Sequence, residues 1–315
     1  MWPVRNETAF PDMRTDIRAA PLGAASVPLS EWSEANAGGS ARAMTTVSPL
    51  RVAVAGLGAM GANHARVVAT HGSTELVAVC DIDVERAEAV GHRFGVPSFT
   101  TWEALPSCDA VIVAMPTGEH GAVATALLNE GTPVLVEKPL SDDLETVHRL
   151  LEISAARDVP LMCGFVERFN PAIQCARSLL DGPPIHLLAT RHSPVTPRAT
   201  ASVVHDLLIH DLDTAVLLMG PEVNAVDARS WIGSGGVLEL TDCTLGFGGG
   251  AVATLSASRI SQRKIRTLQI TTATAQIEVD MLRHDVTVYR HRSHEQLDLE
   301  GPTYRADTII DIPFV

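Results

Sequence analysis

The sequence predicts an α/β half built on a doubly wound parallel sheet, followed by an α+β half with a large, mostly antiparallel sheet. Three observations carry this. Short β-branched runs alternate with helical stretches from Leu50 to about Phe165, the rhythm of a parallel sheet with helices on both faces. A glycine-rich turn joins the first run to the first helix. After Asn170 strand-like runs follow one another across short Gly- or Thr-rich turns, the pattern of antiparallel pairing.

Residues 1–48 have no sustained apolar period and hold Pro3, Pro11, Pro21, Pro28 and an AGGS stretch. They are expected to be a disordered extension, or a start misplaced ahead of Met44. Trp2 and Trp32 read as isolated aromatics there. LRVAVAG (50–56) is a continuous apolar run ending in glycine, which suits a strand buried on both faces. A helix follows over 59–71, then the strand ELVAVCD (75–81), then a helix capped by Asp83 and running to Phe94. DAVIVAM (109–115), PVLVEKP (133–139) and PLMCGF (160–165) are further strands, separated by helices at 118–130 and 142–157 capped by Thr117 and Ser141. A helix at 171–180, a strand at 185–192 and a helix at 202–219 come next. Strands near 222–231, 236–247, 251–260, 265–272, 275–281 and 284–291 complete the chain. The expected division is a 1–48 extension, a 49–168 α/β domain with the parallel sheet, and a 169–315 α+β domain.

Composition narrows the function. The 315 residues suffice for about two domains, and no apolar run approaches the roughly 20 residues a membrane span needs. Thirty-seven acids against 24 bases give a formal charge of −13, which argues against nucleic-acid and anionic-membrane partners. The five cysteines are odd in number, scattered and never spaced CxxC. That disfavours a disulfide framework or structural zinc and points to a reducing, cytoplasmic setting. The opening MWPVRNETAF shows no secretion signal.

Gly56-Leu57-Gly58-Ala59-Met60-Gly61 is GxGxxG between a strand and a helix. Its first glycine permits the tight turn, its second admits a pyrophosphate, and its third lets helix and strand pack closely. The helix N-terminus offers unpaired N–H groups to the phosphates. Three glycines alone are a weak signal, but Asp81 ends the next strand 20 residues after Gly61, where a carboxylate accepts from both ribose hydroxyls. The alternative is a plain glycine turn with a strand-end acid. Asp81 would repel a 2′-phosphate, so NAD is favoured over NADP. Arg86, inside the following helix, reads as poorly placed to take over.

Only two of the basic residues are lysines, Lys138 and Lys264. Lys138 closes a strand at the carboxyl edge, where ligands of such sheets sit. Lysine suits proton chemistry because burial can lower its pKa, whereas arginine stays protonated. The bland reading is a lysine paired with Glu137.

Residues 203–219, VVHDLLIHDLDTAVLLM, form an apolar helix with a narrow polar stripe. At about 100° per residue Asp206, His210 and Asp213 share an arc of roughly 60°. Asp206 and His210, four apart, could hydrogen-bond, and a histidine oriented by a carboxylate accepts protons near neutral pH. A His/Asp pair in a core is more often structural. Metal binding by His205, His210 and the aspartates matches no strong spacing, so no metal is expected. His205 and Asp211 read as outer-surface residues.

Taken together, GLGAMGANH (56–64), VAVCDID (77–83), MPTGEH (115–120), VLVEKPL (134–140), FVERFNPA (165–172) and DLLIHDLD (206–213) resemble the Gfo/Idh/MocA oxidoreductases. The resemblance runs from about Leu50 to Val315 and implies a Rossmann domain followed by a large sheet often used for subunit association. It implies that Gly56, Gly58, Ala59, Met60, Gly61 and Asp81 hold the cofactor, with Pro116, Thr117, His120, Glu137 and Lys138 towards its nicotinamide end. It further implies Lys138, Asp206 and His210 as catalytic, with His210 the acid/base, and adds Arg168 and Asn170 as substrate-facing. The implied substrate is a sugar, nucleotide sugar or cyclitol. FVERFNPA with IHDLD looks most like members acting on sugars or nucleotide sugars, UDP-N-acetylglucosamine 3-dehydrogenases among them. A homo-oligomer, dimer or tetramer, is implied as well. Two departures stand out. The leader is no family feature, and members continue past the strand matching DIPFV with a helical segment, so exposed core surface is expected near Val315. A dinucleotide-sensing regulator on the same fold, and a reductase of imines or linear tetrapyrroles, are the alternatives. Intact Lys138, Asp206 and His210 weigh against both.

Overall fold

The computed structural model describes residues 48–195, 201–298, 301–313 and 315; the expectations for residues 1–47 lie outside them. Strand β1 (Leu50–Ala55) is central because its last four residues are buried and its neighbours pair on both edges. With β2 (Thr74–Cys80), β3 (Ser98–Phe99), β4 (Ala110–Val113), β5 (Val134–Val136) and β6 (Leu161–Cys163) it forms a parallel sheet of order β3-β2-β1-β4-β5-β6. Helices α1 (Ala59–Thr70), α2 (Val84–Phe94), α3 (Thr117–Asn129) and α4 (Leu144–Arg157) are the crossovers. The order reverses between β1 and β4, so the carboxyl ends of these strands open the crevice in which such sheets bind ligands.

The predicted strands and helices of this half are present, with two caps corrected. Asp83 caps α2 as expected, accepting from Arg86 N. Thr117 is instead the first helical residue of α3, whose flanking Pro116 offers no side-chain cap. Asp143, not Ser141, caps α4, accepting from Thr146 N at 2.7 Å. A carboxylate two residues nearer the helix reaches the orphan N–H better than the serine hydroxyl. The two-residue β3 was not predicted, because so short a strand has no period to detect.

The second sheet has the order β14-β13-β12-β11-β7-β10-β9-β8. Its strands are β7 (His186–His192), β8 (Val223–Ile232), β9 (Leu238–Phe247), β10 (Val252–Ser258), β11 (Ile265–Thr271), β12 (Gln276–Asp280), β13 (Asp285–Asp298) and β14 (Gly301–Asp311). Only β7 and β10 pair parallel; the rest are antiparallel. The expected strand at DIPFV lies earlier: β14 spans Gly301–Asp311 and stops two residues before Pro313, which cannot donate to the ladder. One face of the sheet is apolar, with Leu187, Ala189, Leu255, Leu268 and Ile270 packed on α5 (Pro171–Ser178) and α6 (Ile209–Met219).

The helix expected over 202–219 is divided. Val204–Leu208 form a π-helical turn, closed by Ile209 N to Val204 O, before α6 begins. Single π turns of this kind frequently mark functional sites.

Candidate active site

The phosphate loop follows β1. Gly56 has φ +89°, and a Cβ there would lie 2.5 Å from the Ala114 carbonyl carbon. A Cβ on Gly61 would meet Gly56 O at 1.7 Å, so helix and strand touch through glycine alone. A Cβ on Gly58 would meet nothing within 4 Å, which leaves open space over the loop. Gly58 gives α1 no side-chain cap, so the first-turn N–H groups of Ala59, Met60 and Gly61 are free of one. This cradle fits a pyrophosphate.

Asp81 is 5% exposed. Its Oδ2 accepts from Leu57 N at 2.7 Å and its Oδ1 from Asp83 N at 2.9 Å. Arg86, inside α2 as expected, brings its guanidinium to Asp81 at 3.1 and 3.2 Å. Burial raises the Asp81 carboxyl, but the two backbone N–H groups and Arg86 outweigh it and hold the pKa below the usual value. Ribose hydroxyls binding here would replace Arg86.

At the end of β5, Glu137 does not pair with the Lys138 ammonium, which is salt-bridged to Asp206 instead. His64 Nε2 on α1 donates to Glu137 Oε1 at 2.7 Å, and Lys138 backbone N donates to Oε2 at 3.2 Å. Burial pushes the Glu137 carboxyl up, yet His64 and Lys138 bring it below its ordinary value. His64 was missed, since it sits mid-helix within a motif read only for its glycines. His120 is buried, with Nδ1 2.8 Å from Pro139 O and Nε2 2.9 Å from Met115 O. It ties the loop carrying Pro116 and Thr117 to the Lys138–Pro139 turn.

The Lys138 Nζ donates to Asp206 O at 2.9 Å and to Asp206 Oδ1 at 3.3 Å. Asp206 Oδ2 accepts from Arg259 at 3.0 Å. The expected Asp206–His210 bond is therefore not made. The π turn widens the helix there and shifts their relative phase, so that Asp206 faces Lys138 and Arg259. His210 Nδ1 is instead buried without a hydrogen-bond partner. Burial first, then the charges of Arg191 and Lys138, lower the His210 pKa to about 4. Its imidazole is neutral at neutral pH for that reason, not through a carboxylate.

Asp213 accepts a bidentate pair from Arg168, with contacts of 2.6 and 2.9 Å. Asn170 caps α5 through Ala172 N, and its Nδ2 donates to Glu167 Oε2 at 3.1 Å. Asp211, expected at the outer surface, is 1% exposed. It binds Arg191 of β7 through Nε and NH2 at 2.9–3.0 Å. The sheet covers the side of α6 that periodicity could not distinguish from solvent. Arg191 also donates to Glu167 Oε1 at 2.8 Å. Glu167, Arg191, Arg259 and Arg266 were not anticipated: they come from four separate segments, so no spacing links them.

These parts have counterparts in known proteins. The model described as an oxidoreductase family with an NAD-binding Rossmann fold matches residues 50–165, and that of the GFO/IDH/MocA C-terminal domain matches residues 181–278. A UDP-N-acetylglucosamine 3-dehydrogenase of Acidithiobacillus ferrooxidans is 34% identical over 248 residues, 77% of this chain and 77% of its own. An inositol 2-dehydrogenase of Rhizobium meliloti is 29% identical over 227 residues, 67% of this chain and 69% of its own. The solved structure of the Acidithiobacillus ferrooxidans UDP-N-acetylglucosamine 3-dehydrogenase superposes with a TM-score of 0.75 at 30% identity, covering 85% of each chain. The phosphate loop, Asp81 and the Lys138 strand end lie within the first of these family matches, and β7 to β11 with Asp206 and His210 lie within the second: the chain belongs to the Gfo/Idh/MocA family of NAD-binding oxidoreductases.

Proposed function

We propose that this oxidoreductase is an NAD-dependent dehydrogenase acting on a secondary alcohol of a sugar, nucleotide sugar or cyclitol, with UDP-N-acetylglucosamine 3-dehydrogenase-like chemistry the best-supported form. The observation that carries it is a complementary pair: an ammonium donor, Lys138, held by Asp206, and the neutral imidazole of His210, whose pKa the Lys138 charge helps to lower. An alcohol being oxidised needs both, a donor for its developing alkoxide and an acceptor for its proton.

NAD, when bound, supplies the hydride acceptor. The chain supplies the rest. The loop from Gly56 to Gly61 takes the pyrophosphate and Asp81 the adenosine ribose. Lys138 orients the reacting oxygen and stabilises negative charge on it. His210 takes the hydroxyl proton; its neutral state leaves the acceptor lone pair free. Asp206 acts through Lys138 as a positioning residue, fixed in turn by Arg259. Arg168 borders the substrate side, with its guanidinium set by Asp213, and Asn170 positions Glu167. His120 and Glu137 hold the loop and strand end next to Lys138.

The preference is for NAD over NADP, supported by the Asp81 carboxylate. A homo-oligomer joined through the uncovered face of the second sheet, in a cytoplasmic setting, completes the reading. The five cysteines, none in a disulfide, are consistent with that compartment. A screen of NAD reduction at 340 nm over inositols, free sugars and UDP-sugars tests the function. Turnover of at least one such alcohol is expected, while absence of turnover across the panel by NAD-binding protein would refute it.

A further inference from the structure

Each of three arginines around the site has a carboxylate of its own. Arg168 holds Asp213, Arg191 holds Asp211, and Arg259 holds Asp206. Arg266 does not. It stands directly opposite Arg191 across the β7–β11 pair, so the two guanidinium-bearing side chains leave the same face of the sheet. Like charges directly opposite one another in a sheet are destabilising. Asp211 is spent on Arg191 in a bidentate pair. Glu167 Oε1 sits 2.8 Å from Arg191 but 3.7 Å from Arg266, and Oε2 is taken by Asn170. Arg266 Nε is buried with no hydrogen-bond partner, while about a fifth of the side chain remains exposed. A buried, unused guanidinium N–H is costly to leave unmade, and a side chain with residual exposure is reachable from solvent. Its charge also bears on the His210 imidazole, which places it by the proposed reaction centre. Among the described residues the two buried side-chain polar atoms without a partner are this Nε and His210 Nδ1.

We propose that Arg266 anchors an anionic group of the substrate, a sugar carboxylate or a phosphate, beside His210 and Lys138. This deepens the proposed function and rests on it for the identity of the reacting alcohol. A planar oxyanion would accept from the solvent-reachable terminal N–H groups of the fork, a geometry that arginine offers and lysine does not. It would also supply the negative charge that the Arg191–Arg266 pair shares only through Glu167.

The test is calorimetric titration of NADH-loaded protein with five probes. They are N-acetylglucosamine and its C6-carboxylate counterpart, each free and as the UDP conjugate, and myo-inositol as the neutral polyol. Binding of at least one anionic form about 10- to 100-fold more tightly than its neutral counterpart is expected. R266Q should abolish that preference and R266K should keep part of it, with folding checked by circular dichroism. If the carboxylate is the group read, the free acid beats the free neutral sugar. If it is a phosphate, both UDP conjugates beat both free sugars and the carboxylate adds nothing. Acidic and neutral probes binding within twofold of each other, or a preference unchanged in R266Q and R266K, would overturn the proposal, as would no binding at all. Turnover without anion discrimination sinks this inference alone. Arg266-dependent binding without turnover sinks the dehydrogenase reading alone.

Discussion

His210 carries a cost that can be measured. Its imidazole has a pKa of about 4 against an ordinary 6.5. As pH falls through that window the unfolded chain takes up a proton that the folded chain refuses, so stability falls with pH. The loss is on the order of 3 kcal/mol across the window. H210Q removes this group, so its chemical-denaturation stability should fall less between pH 7 and 4.5 than that of the unmodified protein. Equal slopes would show that His210 is not held neutral. The carboxyls of Asp81, Glu137 and Glu167 are also depressed, but they lose stabilising power chiefly below their ordinary range and do so in both proteins. At the other end of the site, Asp81→Ser should bring NAD and NADP affinities together, since it removes the repelling carboxylate and leaves Arg86 free to meet a 2′-phosphate. Fluorescence titration with the reduced cofactors reads this. Tighter NADP binding by the unmodified protein would contradict it.

Among the elements, the segment from Val204 to Met219 shows what periodicity can and cannot reveal. Its polar residues were legible as a buried stripe, because charge on an apolar helix must be satisfied by something. Their partners were not. The π turn changed the phase of Asp206, and the arginines that satisfy Asp206, Asp211 and Asp213 arrive from β7, from the 3-10 turn Val166–Phe169 after β6, and from the end of β10. The Rossmann half was legible nearly strand for strand, since its buried runs and glycine turn are local signals, while two of its three expected caps were misplaced. The Arg191–Asp211 pair is expected to hold α6 against the second sheet. D211N, which leaves Arg191 buried with Glu167 alone, should cost about 3–5 kcal/mol in chemical denaturation. The double variant R191M/D211L should recover much of that loss. A single variant within 1 kcal/mol of the unmodified protein would remove the pair from the account.

At the scale of the whole molecule, one half carries the cofactor loop and Lys138, and the other carries His210 and the guanidinium cluster. The Lys138–Asp206 contact spans them. Among the described residues no helix covers the face of the second sheet on which Leu188 lies among Thr190, Thr267, Gln269 and Glu278. Sedimentation should show a dimer or tetramer that L188E shifts towards monomer; a monomer at micromolar concentration would argue against association through this face. The division of labour between the halves also separates cofactor binding from proton transfer by His210, and that is the central claim. It is tested most directly by measuring turnover and NAD affinity on the same folded samples of H210A. The account predicts a loss of about 10²–10⁴-fold in turnover with NAD affinity nearly unchanged, because the phosphate loop and Asp81 lie in the other half. A folded H210A protein with near-normal turnover would contradict it.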